Sequence, residues 1–192
     1  MLGLNPLTMA PRERSSGLAA DYGAPVRERR FSPYVDNHGS VVAIAGADFV
    51  VVASDTRLSG SGYSILTREQ PKLFGLSEST VLASTGCWCD VLSFARLASA
   101  RSKMYSLTHG GDLMTTKAYA QMIATMLYGK RFFPYYISNI LAGLDSETGR
   151  GVIYSYDPVG HMEKCTYRAG GSSVSLLQPL LDNQVRLSFY ST

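Results

Sequence analysis

Six side chains in this sequence belong to the types that most often carry chemistry at neutral pH: His38, His109 and His161, and Cys87, Cys89 and Cys165. Imidazole titrates near neutrality, and a thiolate is both a nucleophile and a metal ligand. The histidines lie far apart in the chain, and each is read as a loop or packing residue. Cys87 and Cys89 flank Trp88, so they supply two metal ligands at most, while a tetrahedral site needs two more good ones. Cys165 reaches them only by folding, and the three thiols are read as structural. No G-x-S-x-G elbow and no G-x-x-x-x-G-K-[ST] loop occurs, and no glycine-rich turn opens a helix in a βαβ unit. No metal and no cofactor are expected.

Any site must therefore be assembled by the elements around it. Residues 41–45 and 49–53 are short apolar runs, rich in β-branched residues, around a turn at 46–48, and they predict an antiparallel hairpin. Both runs are nearly continuous, which predicts a sheet covered on both faces. Residues 59–62 read as a Gly/Ser loop. Short strands follow at 63–66, 72–76 and 80–85, the last closed by Gly86. The period then changes. Val91, Phe94, Ala95, Leu97, Ala98, Arg101 and Met104 form a helical stripe within residues 89–105, with Asp90 favouring its start. Thr115 or Thr116 caps a second helix whose stripe is Ala118, Tyr119, Met122, Ile123, Met126 and Leu127. Gly129 stops it and Pro134 prevents its continuation. Strands resume at 136–142, 152–156 and 162–168. Ser172 or Ser173 caps a possible last helix through Leu181, which Pro179 should kink or shorten. Strands, two helices, strands and a helix do not make a repeating βαβ pattern. An α+β layered sandwich with mainly antiparallel sheets fits best.

Composition narrows the function classes. Of 192 residues, 45% are hydrophobic and 17% charged, which is enough apolar material for a core and rules out wholesale disorder. The longest apolar run is far shorter than a membrane span requires. The net charge is +3; residues 1–30 hold five arginines and three acids, a balance of +2, leaving +1 for the rest. The body thus lacks the concentrated basic face that nucleic-acid binding needs. Residues 1–30, with Pro6, Pro11 and Pro25, read as an irregular extension. Phe31, Pro33 and Tyr34 read as an aromatic anchor tying it to the body. With no basic residue before Arg12, the N-terminus makes a poor signal peptide, and reduced thiols in cytosol or nucleus are expected.

Several longer runs carry a resemblance. They are R-F-S-P-Y (30–34), V-A-I-A-G (42–46), V-A-S-D-T-R-L-S (52–59), R-F-F-P-Y-Y (131–136), G-L-D (143–145), Y-S-Y-D-P-V-G (154–160), A-G-G-S (169–172) and L-Q-P-L-L-D-N-Q-V (177–185). With them the chain resembles the β-type subunits of the 20S proteasome, most closely at the non-catalytic β6 ring position. The resemblance spans residues 31–185, preceded by the extension or propeptide at 1–30 and followed by a divergent tail at 186–192. It implies a four-layer α-β-β-α sandwich of the N-terminal-nucleophile hydrolase type. It also implies heptameric β rings inside a barrel. In active members a propeptide is cut after glycine, and the exposed threonine amine activates its own hydroxyl for attack on a peptide carbonyl.

The resemblance also assigns positions. Asp55 matches the family's supporting aspartate. The nucleophile position falls on Gly39, which has no hydroxyl. Ser40 is one step on, and a one-residue step in a strand turns a side chain to the opposite face. Lys72 matches the supporting lysine if the 59–62 loop carries one extra residue, and Gly171 stands where active members have a serine. Read without the family, Asp55 is a strand-end hydrogen-bond acceptor and Lys72 its partner.

The expectation is a subunit with no catalytic residue of its own. It would hold neighbours in a β ring and contact other β and α subunits, in cytoplasm and nucleus. The whole particle would act on unfolded polypeptides; neither nucleic acid nor membrane is an expected partner. One rival is a serine-type peptidase using Ser40 after cleavage at Gly39, supported by Asp55 and Lys72. Another is that the chain, which reads as C-terminally shortened with family strands missing, does not assemble.

Overall fold

The computed structural model of the chain describes residues 34–61 and 64–185. The extension read at 1–30, Phe31 and Pro33 of the aromatic anchor, and the tail at 186–192 lie outside the described residues. Tyr34 packs near the rings of Phe133 and Tyr136, with centroids 6.1 and 5.7 Å away.

β1 (Ser40–Ala45) and β2 (Val50–Ser54) form the antiparallel hairpin, closed where Gly46 N–H donates to Phe49 O at 2.8 Å. β3 (Leu58–Ser59) and β4 (Ile65–Thr67) make a separate short ladder. β3 is two residues long, too short for an alternating pattern to register in sequence. β5 (Leu73–Ser77) and β6 (Thr80–Gly86) lead into α1 (Trp88–Thr108) and α2 (Thr116–Tyr128). Thr115 caps α2 by accepting from Ala118 N–H at 3.2 Å. Thr116 instead bonds to Thr80 Oγ1 and Leu144 O, which pins the helix start to the sheet. Asp90, in the first turn of α1, accepts from Tyr136 N–H.

β7 (Ile137–Leu144) and β8 (Gly151–Tyr156) follow. The expected single strand at 162–168 is two: β9 (Met162–Cys165) and β10 (Tyr167–Gly171). β9 completes a five-stranded sheet in the order β5-β6-β7-β8-β9, while β10 joins a three-stranded sheet in the order β10-β1-β2. Thr166 is the crossing point, where its carbonyl accepts from Ala45 N–H at 2.8 Å. Residue types cannot show this, because a strand that changes partners keeps its alternation. α3 (Val174–Gln184) runs beyond Leu181 and holds Pro179 inside it. The exposed Ser175, whose carbonyl would have been the partner of residue 179, is open to solvent. Ser173 stands at the cap position but makes no side-chain cap bond.

The central strands β6, β7 and β8 of the five-stranded sheet are buried on both faces, and their alternation divides two cores. Leu82, Leu141, Val152 and Tyr154 pack with Val91, Phe94, Tyr119 and Ile123 of the helices. Their neighbours Ala83, Ile140, Ala142 and Ile153 pack with Val41, Ala43 and Ala45 of β1. α3 lies on the outer face of β10, where Ala169 is buried and its N–H donates to Gln178 Oε1. The layers run helices, sheet, sheet, helix, which is an α+β four-layer sandwich.

Two sequence expectations are corrected here. Coverage of both faces fails for β2, where Val51 is 54% exposed, because α3 docks over β10 at the opposite edge. On α1, Val91, Phe94, Ala95 and Ala98 are buried while Leu97, Arg101 and Met104 are exposed, so the buried stripe is narrower than the apolar one.

The contrast between the covered centre of the five-stranded sheet and the open face of β2 has a direct test. Leu141→Ala should lower stability by about 2–5 kcal/mol, whereas Val51→Ser should stay within about 0.5 kcal/mol of the parent. Equal losses in denaturant unfolding would contradict the assignment.

Candidate functional site

The mouth between the two sheets collects most of the residues singled out above. Lys72, immediately before β5, is fully buried and donates to Asp55 Oδ1 at 2.9 Å, Asp55 O at 3.2 Å and Arg57 O at 2.7 Å. An ammonium has three N–H donors, so all three are engaged. Asp55, one residue past β2 and partly exposed, also accepts from Ser40 N–H at 2.8 Å. Asp55 thus ties the start of β1 to Lys72.

Gly39 has φ +115°, and a Cβ placed on it would lie 2.5 Å from Lys72 Cε and 3.3 Å from Thr85 Cγ2. The lysine stem fills the space that a side chain at residue 39 would take. Gly171, with φ +80°, is equally constrained: a Cβ there would meet Gly39 O at 2.0 Å. That close approach lets Ser172 N–H donate to Gly39 O at 2.8 Å.

Ser40 pairs with Gly171 in the β1–β10 register, on the outward face of the sheet with Val42 and Ala169. Its hydroxyl donates to Ser173 Oγ at 2.6 Å, toward α3. Residue 39 therefore faces Lys72 between the sheets and residue 40 faces the outer helix. The structure brings Gly39, Ser40, Asp55, Lys72 and Gly171 together, but Ser40 turns its hydroxyl to a different layer from the lysine.

Sequence reading missed Asn37. It is buried, and it fills the space between β3 and the end of β6. Its N–H donates to Gly86 O at 3.1 Å and its carbonyl accepts from Ser59 N–H at 3.4 Å. Its Nδ2 donates to Ser59 O at 2.9 Å, and its Oδ1 accepts from Trp88 N–H at 2.8 Å. An asparagine outside any periodic segment carries no local sign of such a role. Beside it, His38 has φ +62° and its N–H is held by Asp36 Oδ1 at 2.8 Å. Asp36, His38, Thr85, Gly86, Ser138 and Ser172 help line an adjoining cavity of about 320 Å³.

The other reactive types are dispersed. His109 stacks on Tyr105 at the end of α1, and His161 N–H is held by Asp157 in the turn before β9. Cys87 is buried, Cys89 exposed and Cys165 half-buried, all three as free thiols. Among the described residues no group of three or more His, Cys, Asp or Glu is placed to hold a metal ion, and no helix is long and apolar enough to cross a membrane. Burial pushes the Cys165 thiol up to about 11, with Arg168 acting against it.

Comparison with known proteins gives a consistent result. The "Proteasome subunit" family profile matches residues 35–190. The chain is 58% identical over 166 residues to proteasome subunit beta type-1 of Drosophila melanogaster, covering 86% of this chain and 69% of the relative. It is 53% identical over 164 residues to proteasome subunit beta type-1 of Danio rerio, covering 85% and 68%. It is 44% identical over 158 residues to proteasome subunit beta type-6 of Saccharomyces cerevisiae, covering 82% and 65%.

Two predictions arise from this geometry. Gly39→Ala should lose about 1–3 kcal/mol from backbone strain alone, with displacement of Lys72 adding to it; a loss below about 0.5 kcal/mol in denaturant unfolding would contradict the packing. Cys165 should stay protonated near pH 8, so an alkylating reagent should label Cys89 well before it. Because its folded value is raised, its contribution to stability is present below the ordinary thiol range and lost as pH rises through about 11. Equal labelling rates, read by peptide mass, would contradict the burial of Cys165.

Proposed function

The chain belongs to the proteasome β-subunit family, and from that premise we propose that it is a non-catalytic structural subunit of the β ring in the 20S core particle. The observation that carries this reading is the packing of Lys72 against Gly39. The residue at the nucleophile position has neither a hydroxyl nor room for a side chain. Further features support it. The Ser40 hydroxyl is turned to Ser173, and all three Lys72 donors are engaged elsewhere. The backbone groups Gly86 O and Ser59 N–H, on β6 and β3, are both paired with Asn37 of the chain itself.

On this reading the partners are neighbouring β subunits, the adjacent α ring and the opposite β ring. The particle acts on unfolded polypeptides in cytoplasm and nucleus, and this chain contributes surface and shape. It requires no cofactor and no metal. The rival reading, a Ser40 nucleophile freed by cleavage after Gly39, would require re-aiming the Ser40 hydroxyl, which is bonded to Ser173 on a different layer from Lys72.

The tests are sedimentation and mass. An antibody against residues 186–192 should find the chain in fractions of particle size together with other proteasome subunits. Intact-mass analysis of those fractions should show a chain that retains the Gly39–Ser40 bond, and Ser40→Ala should leave the particle's peptidase rates unchanged. A chain that begins at Ser40, with a peptidase activity lost in Ser40→Ala, would establish the rival. Signal confined to small or aggregated fractions would overturn the ring role.

A further inference from the structure

Two polar side chains interrupt the apolar layer between the five-stranded sheet and helices α1 and α2. Ser84 on β6 and Asn139 on β7 are direct antiparallel partners, and each is 1% exposed. Directly paired residues project to the same face. That face is the helix side, because Leu82, two before Ser84, and Ile137 and Leu141, two on either side of Asn139, belong to the helix-facing core. Ser84 Oγ and both Asn139 side-chain polar atoms have no hydrogen-bond partner among the described residues. The neighbour of Asn139 on β8, Tyr156, sends its hydroxyl to Ala120 O instead.

Buried polar atoms are costly when left unpaired, and in native proteins nearly all are satisfied by protein or by ordered water. A buried water typically makes about three hydrogen bonds to such groups. Here one hydroxyl, one amide N–H₂ and one amide carbonyl point into the same layer. Both residues are neutral, and among the described residues the one buried charged side chain, Lys72, is engaged with Asp55 and Arg57 between the two sheets. An ion would therefore stand buried and unpaired, at a far greater desolvation cost. We propose that Ser84 and Asn139 hold an internal water molecule between sheet and helices. It joins β6 to β7 through their side chains, in addition to the backbone ladder.

The test is a structure of the full chain, in whatever folded or assembled form it is purified, at a resolution that shows ordered solvent. A solvent peak within hydrogen-bonding distance of both Ser84 Oγ and the Asn139 amide is expected. A direct Ser84–Asn139 hydrogen bond with no peak, or a dry gap, would overturn the proposal. Thermal midpoints of Ser84→Ala, Asn139→Leu and the double variant provide a second reading. A shared water makes the loss in the double variant smaller than the sum of the single losses, whereas additive losses would overturn the bridge. If a variant fails to fold, the solvent density of the parent chain still decides.

Discussion

A lysine ammonium taken out of water needs several strong acceptors, because its desolvation is among the largest penalties a fold can carry. Lys72 meets that demand with one carboxylate and two carbonyls. Much of the surrounding geometry follows from the requirement. Asp55 must stand at the end of β2, and its carboxylate then reaches the first amide of β1. The lysine stem must pass under residue 39, so that residue is glycine in a conformation other residues rarely adopt. The Gly39 carbonyl is then turned to Ser172, which needs close approach at Gly171. A polar contact that contributes little on a protein surface here organises the junction of two sheets, because one partner is wholly buried.

The parity of a β-strand gives the same junction its chemical character. Gly39 and Ser40 are adjacent, yet one faces the space between the sheets and the other faces α3. A hydroxyl displaced by a single residue is displaced by a whole layer. Upstream, Asn37 fixes the chain to β3 and β6 with both its backbone and its amide, so the segment before β1 is part of the folded body. Parity and anchoring together fix which layer each residue of the junction meets.

Much of the fold was legible in local pattern. The hairpin, the long helix after Gly86, a threonine cap at 115 or 116 and the stop at Gly129 depend on residues close together in the chain, and local physics suffices for them. The break at Thr166 was not legible, because it is a change of partner with no change of period. Nor was the limited cover of the outer face of β2, since an apolar run looks the same whether or not a helix lies over it. Pro179 suggested a shorter last helix than the one formed; burial of Leu181 and the Gln178 Nε2–Asp182 Oδ1 bond span the proline.

The site divides in the same way. The sequence alone determined that residue 39 has no nucleophile, that Asp55 and Lys72 are available as a pair, and that the chain belongs among proteasome β subunits, because these rest on residue identity and order. Only the tertiary structure decided that the Lys72 stem occupies the side-chain space of residue 39, that Ser40 turns to Ser173, and that Asn37 takes the backbone groups between β3 and β6. Those are contacts between segments as many as 133 residues apart. Such contacts arise from strand register and layer packing, which short-range pattern along a chain does not encode.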